Sequence, residues 1–150
     1  RVAPGQIAAL MRQLQDAAVL YPQARGIHVS ALADGASLVC VAEDIGRHNT
    51  VDKIAGVCLR RGQPTRDRIL LTSGRVSSEM LSKAARMGAP VIVSLTSPTS
   101  LSVQLAQAWG ITLIGYARGR SFRVYTGLAR VDGLEPADPV GEPMAAQRRL

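Results

Sequence analysis

"RILLTSGRVSSEMLSKAARMGAPVIVSL", Arg68–Leu95, decides the fold. RILLTS is a short apolar run of the kind that fills a buried strand. From Val76 the period changes: Val76, Met80, Ala84 and Met87 share one face of a helix, and Gly88 supplies a stop signal. PVIVSL then repeats the buried-strand pattern. Strands that are apolar throughout, rather than alternating, are covered on both faces. That is the mark of parallel strands with helices packed against them.

The pattern continues in both directions. Downstream, TSLSVQLAQAWG reads as a helix ending at Gly110, ITLIGY as a strand, and SFRVYTGLARV as one or two last strands. Upstream, Ile7, Leu10, Met11, Leu14 and Ala18 follow Pro4 at helical spacing. GIHVSALADGASLVCVAE reads as two strands about the turn pair Asp34-Gly35. TVDKIAGVCLRRG places Val51, Ile54, Ala55 and Cys58 on one helix face, with Gly62 as its stop. No internal repeat is present. The expected class is α/β, three layers (α/β/α) about a mixed sheet, because the first hairpin strand runs against the others. The expected domain is 1–131. From Asp132 the chain is rich in Pro, Gly and charge, and 132–150 is expected to be a flexible tail.

A chain of 150 residues with 47% hydrophobic residues can bury one sizeable core. Aromatics are only 3%, so that core rests on Val, Ile, Leu, Ala and Met. No apolar run is long enough to span a bilayer, and none has the form of a signal leader, so no membrane partner is expected. The first residue is Arg1 and not Met, so the chain is expected to be processed, cut, or a piece of something longer. Cys40 and Cys58 are the only cysteines, and their spacing fits neither a zinc site nor a redox CxxC. Both lie in apolar patterns, so two buried reduced thiols are expected. A net charge of +7 calls for an anionic partner. Nucleic acid is not favoured, because the arginines are scattered and only one Phe and one Trp are available for stacking.

Four polar stretches follow the strands: EDIGRHN (43–49), TSGRVSSE (72–79), TSPTS (96–100) and YARGRS (116–121). In an open α/β sheet these strand ends share one edge, where ligands bind. The antiparallel first hairpin strand brings His28 to the same edge. Three of the stretches lead into helix N-termini, whose free N–H groups and dipole suit an anion. Arg47, Arg75, Arg118 and Arg120 offer guanidinium forks, and Lys53 and Lys83, the only lysines, are placed to reach back as point charges. Each place also has a plain structural reading. Asn49 with Asp52 forms an N-cap arrangement, Ser73 or Ser77 caps the next helix, Glu79 and Lys83 are an i, i+4 pair, and His28 alone is a satisfied core histidine. Two lysines in polar clusters also arise by chance. Dinucleotide, P-loop, zinc-deaminase and nucleophile-elbow signatures are missing. Adjacent Glu43 and Asp44 point to opposite faces of an extended segment. Residue chemistry alone reaches a pocket for an anionic, phosphorylated ligand.

In order, EDIGRHNTVDK, SGRVSSEMLSKAARMGAP, SPTSLSVQLA and ITLIGYARGRSFRVYT resemble the motifs of the FdhD family, the formate dehydrogenase accessory sulfurtransferases. The resemblance covers Gly26 to Val131. GIHVSAL is similar to the family's TGGxHxAA segment, although Ala24-Arg25 depart from its Thr-Gly. The resemblance implies a cytidine-deaminase-like fold without the zinc site, and a cytoplasmic homodimer. It also implies transfer of sulfur from a cysteine desulfurase to molybdenum bis(molybdopterin guanine dinucleotide), which then serves formate dehydrogenase. GDP, half of that dinucleotide, is the expected mimic. The family's cofactor-binding stretch aligns with Tyr116, Ala117, Arg118, Gly119, Arg120 and Ser121. With them the shared sheet edge nominates His28, Asp44, Arg47, His48, Lys53, Ser73, Gly74, Arg75, Lys83 and Thr99. The family carries its sulfur on a CxxC, which this chain lacks. No catalytic residue is therefore assigned here. The chain is expected to be either the cofactor-binding domain of a sulfur carrier or a binding module without the sulfur relay.

Overall fold

The computed structural model describes residues 1–24, 26–134 and 146–149. The elements run α1 (Pro4–Ala17), β1 (His28–Ala33), β2 (Leu38–Asp44), α2 (Arg47–Arg60), β3 (Ile69–Thr72), α3 (Ser78–Arg86), β4 (Val91–Ser94), α4 (Ser100–Ala108), β5 (Thr112–Arg118), β6 (Ser121–Thr126) and β7 (Ala146–Arg149). They form one seven-stranded sheet in the order β2-β1-β3-β4-β5-β6-β7. β3, β4 and β5 are parallel, while β1 runs antiparallel to both β2 and β3, and β6 to β5. The sheet is mixed, as expected.

The winding explains the layers. From β2 through β3 and β4 to β5, every crossover steps the same way across the sheet. Right-handed crossovers in one direction put their helices on one face. Val51, Ile54, Met80, Leu81 and Ala106 of α2, α3 and α4 accordingly share one core with Leu70, Ile92 and Leu113. Among the described residues, α1 is the one α-helix that covers the opposite face. Ile7, Leu10, Met11 and Leu14 pack there on Val29, Leu71 and Val93. Leu70 and Leu71 face different cores because successive strand side chains alternate. Every residue of β3 and β4 is buried.

SFRVYTGLARV forms one strand and then a short 3-10 turn, Leu128–Arg130. Val131 closes the domain by bridging to Val2. Of the segment expected to be a tail, 135–145 and 150 lie outside the described residues. Ala146–Arg149 pairs antiparallel with β6.

Candidate functional site

The strand ends after β2, β3, β4 and β5 do meet at one edge. His28 stands opposite Asp44 in the hairpin register. The Ser73 backbone N–H donates to the Val29 carbonyl at 2.8 Å, and Ser73 Oγ accepts the Val29 N–H at 3.0 Å. That hydroxyl lies 3.4 Å from His28 Nδ1. Gly74 follows, held by its N–H to Thr72 Oγ1 and by Ser94 Oγ donating to its carbonyl. A Cβ on residue 74 would lie 2.8 Å from Arg47 Cβ and 3.4 Å from His28 Nδ1. Glycine is therefore what lets Arg47 lie across this turn beside His28. Arg47 Nε is buried there with no hydrogen-bond partner, alone in this respect among the side-chain atoms of the described residues. A buried polar group without a partner loses the free energy of its lost hydration.

Burial, and then the Arg47 guanidinium, hold the His28 imidazole below its ordinary 6.5. His28 is thus neutral at neutral pH. A depressed histidine contributes stability that is present above 6.5 and is lost as pH falls from there towards the folded value. Stability is expected to decline on acidification from pH 6.5, and His28→Gln is expected to lack that part of the decline. Denaturant melts against pH check this, with the NMR titration midpoint of His28 expected below 6.5.

Glu43 and Asp44 point to opposite sides. The Glu43 carboxylate accepts the backbone N–H groups of Val19, Leu20 and Tyr21 at 2.7–3.0 Å, tying the connection after α1 to the end of β2. Desolvation pushes its pKa up, but these donors outweigh it and the net shift is downward. Asp44 is held far below the carboxylate range, first by Lys53 Nζ at 2.5 Å, then by the Gly46 N–H and the Asn49 amide. Lys53 also donates to the Glu43 carbonyl at 2.9 Å.

These contacts correct two local readings and decide between the alternatives of a third. Asn49 is not a cap: α2 starts after Gly46, which caps without a side chain, and Asn49 instead braces Asp44. Ser77, not Ser73, caps α3, accepting the Met80 N–H. Glu79 and Lys83 do not pair with each other. Lys83, in the last turn of α3, bonds Asp52 of α2 at 2.5 Å, while Glu79 approaches His48 Nε2 at 3.2 Å. His48 also lies 3.3 Å from Ser77 Oγ. His48 and Lys83 border a hollow of about 430 Å³ with Ser78, Glu79, Ser82 and Arg86. Helix phase decides that lining, so it could not be read before the true start of α3 was known.

Further along the edge, Thr99 caps α4 through its hydroxyl, which accepts the Ser102 N–H at 3.2 Å. Val76 bridges to Pro98, joining the loops after β3 and β4. Arg118, expected to be free for a ligand, donates from Nε to the Leu95 carbonyl at 3.1 Å. Arg75 and Arg120 are exposed, as are Gly119 and Ser121, whereas Ala117 is buried. Tyr116 is exposed, with the Arg123 guanidinium 5.6 Å from its ring centre. Sequence reasoning missed Arg123, although buried Phe122, Val124 and Thr126 alternate with it along β6.

The edge is thus a row and not one closed cavity. From β2 to β5 it crosses four interstrand gaps, roughly 20 Å at about 4.8 Å each. The loop 116–121 does not line the hollow beside His48. Among the described residues, no cluster of three His, Cys, Asp or Glu side chains is placed to hold a metal ion. Cys40 and Cys58 are both buried thiols, and burial, then the neighbouring Cys58 thiol, pushes Cys40 up. Neither has the exposed, electropositive setting of a reactive cysteine.

Three layers, with cations and loops along the carboxyl ends of the strands, define an α/β domain with a candidate ligand-binding edge. The chain belongs to the FdhD/NarQ family, whose model matches residues 1–132. It is 42% identical over 130 residues to the sulfur carrier protein FdhD of Bacillus licheniformis, covering 87% of this chain and 49% of that protein. The FdhD protein of Bacillus subtilis is 40% identical over 131 residues, covering 87% and 50%. The chain therefore spans about half the length of these relatives. A crystal structure of a putative formate dehydrogenase accessory protein from Desulfotalea psychrophila superposes with a TM-score of 0.81 at 35% identity, over 87% of this chain and 56% of that one. A diaminohydroxyphosphoribosylaminopyrimidine deaminase/5-amino-6-(5-phosphoribosylamino)uracil reductase from Thermotoga maritima superposes with a TM-score of 0.58 at 12% identity, over 77% of this chain and 38% of that one. That likeness shows a shared α/β fold alone.

Proposed function

We propose that this chain is the cofactor-binding domain of a sulfur carrier that serves formate dehydrogenase. Its ligand is molybdenum bis(molybdopterin guanine dinucleotide), and GDP mimics one end of it. The carrier works in the cytoplasm as a homodimer and takes its sulfur from a cysteine desulfurase. Family membership supports the activity. The observation that carries the ligand is Arg47: its Nε is buried without a partner, at the edge where Arg75 and Arg120 lie exposed. A phosphate oxygen satisfies such a donor, and three guanidinium groups in a row suit an elongated polyanion.

Within this reading Arg47, Arg75 and Arg120 hold phosphates. Neutral His28 keeps a second cation from crowding Arg47, and Asp44 engages Lys53 so that the ammonium is oriented and not free. Once bound, the cofactor supplies the metal that takes up sulfur. This domain supplies binding and orientation.

GDP is expected to bind more tightly than ADP by calorimetry, and equal or absent binding of both would overturn the ligand assignment. A second reading, a binding module through which no sulfur passes, is favoured by the two buried thiols. The two readings share their ligand. They differ in whether sulfur crosses a thiol of this protein.

A further inference from the structure

On the helix-bearing face of the sheet, one row of paired residues is apolar and the next is not. Leu32, Leu70 and Ile92 lie side by side on β1, β3 and β4. One step nearer the edge that carries Arg47, the row is Ser30, Thr72 and Ser94. All three are wholly buried, and so is Thr50 of α2, which meets Ser30. Burying a hydroxyl costs free energy unless it is hydrogen-bonded, and valine or alanine would fill the same space without that cost. What the row adds to the fold is its hydrogen bonds.

Those bonds make a closed circuit. Thr50 Oγ1 donates to the Arg47 carbonyl at 2.7 Å and lies 2.6 Å from Ser30 Oγ. Ser30 Oγ in turn lies 3.0 Å from Thr72 Oγ1, which accepts the Gly74 N–H at 3.1 Å. Ser94 Oγ holds the other side of Gly74, donating to its carbonyl at 2.8 Å. The Arg47 side chain closes the circuit, its Cβ 2.8 Å from where a Cβ on residue 74 would lie. Arg47 is thus fixed from two sides. Its backbone is tied through three hydroxyls, and its side chain rests on the turn that those hydroxyls clamp. A side chain held this way before a ligand arrives loses less freedom on binding. We infer that Ser30, Thr50 and Thr72 are positioning residues for the anion site, holding the unpartnered Arg47 Nε in its aim. This rests on the Arg47 reading proposed above and adds three residues which that reading does not contain. They touch no ligand and act through Arg47.

The test is calorimetric titration of inorganic pyrophosphate into the 150-residue chain and its variants, well below their melting temperatures. There nearly every molecule is folded, so a loss of stability by itself leaves the measured affinity unchanged. Thr50→Val keeps the shape and removes the hydroxyl. It is expected to weaken pyrophosphate binding by about 3-fold to 10-fold, the range of one hydrogen bond. Thr50→Ser keeps the hydroxyl and is expected to bind as the wild type does. Ile92→Val, in the apolar row, is expected to lower the melting temperature about as much as Thr50→Val and to leave the affinity alone. In an Arg47→Gln background, adding Thr50→Val is expected to cost no further affinity. Wild-type affinity in Thr50→Val overturns the inference, as does an equal loss in Ile92→Val or an undiminished loss in the Arg47→Gln background. Should Thr50→Val not fold, Ser30→Ala breaks the same link by removing one oxygen, with the same expected loss and the same refutation by wild-type affinity. If Arg47→Gln weakens binding and the hydroxyl variants do not, the anion site stands and the positioning role alone falls. If Arg47→Gln binds as the wild type does, or the wild type does not bind, both readings fall.

Discussion

Arg120→Ala is expected to weaken GDP binding by about 10-fold to 150-fold without lowering the melting temperature. The side chain is exposed in the loop between β5 and β6 and, among the described residues, makes no hydrogen bond or ion pair. Folding therefore loses little with it. A hydrogen bond from a guanidinium to a phosphate oxygen contributes roughly 1.5–3 kcal/mol, and about 1.4 kcal/mol is tenfold in affinity. Arg118→Ala is expected to behave differently. Its Nε bond to the Leu95 carbonyl joins the ends of β5 and β4, so both stability and affinity should fall. The stability part is about 0.5–1.5 kcal/mol. Thermal melts and titrations on the two single variants separate these effects. If Arg120→Ala melts early and binds GDP normally, the loop is scaffold and not site.

The largest loss of stability is expected at a residue outside the site. Gly127 has φ 69°, and a Cβ there would lie 2.8 Å from Thr112 Cα and would clash still more closely with Thr112 Oγ1. Thr112 cannot step aside. It is buried at the start of β5, its N–H donates to the Pro90 carbonyl, and its hydroxyl donates to the Gly127 carbonyl. Gly127→Ala thus combines left-handed strain of about 1–2 kcal/mol with overpacking of about 1–3 kcal/mol. For a chain of this size the melting temperature should drop by roughly 5–20 °C. Differential scanning calorimetry checks this. A drop no larger than that of Arg118→Ala would mean that the turn after β6 relaxes freely, against the packing described here.

The two kinds of outcome follow what each residue's sequence neighbourhood can and cannot specify. RILLTS and PVIVSL identified themselves as buried strands because an unbroken apolar run satisfies only a strand covered on both faces. Once those strands were parallel, crossover handedness determined that the four polar stretches would share an edge, and that His28 would join them from the antiparallel hairpin. The order of the motifs was enough to recognise the family. In these respects local pattern and chain connectivity determined the answer by themselves.

Pairing was another matter. Lys83 chose Asp52 over Glu79, Glu79 met His48, and Arg118 turned to a backbone carbonyl. Asn49 braced Asp44 where a cap was expected. Each choice depends on how far α2 lies from α3, or β4 from β5, and those distances are set by the core between them. Charges at i, i+4 have many possible partners of similar energy, and only packing selects among them. The buried Arg47 Nε, the crowded Cβ position of Gly74 and the left-handed Tyr116 are likewise invisible in a string of letters. The sequence determined which residues would reach the sheet edge. Which of them brace the scaffold and which stay free to meet a ligand was decided only by the tertiary structure, because contact between side chains depends on distances that close when the helices and sheet pack.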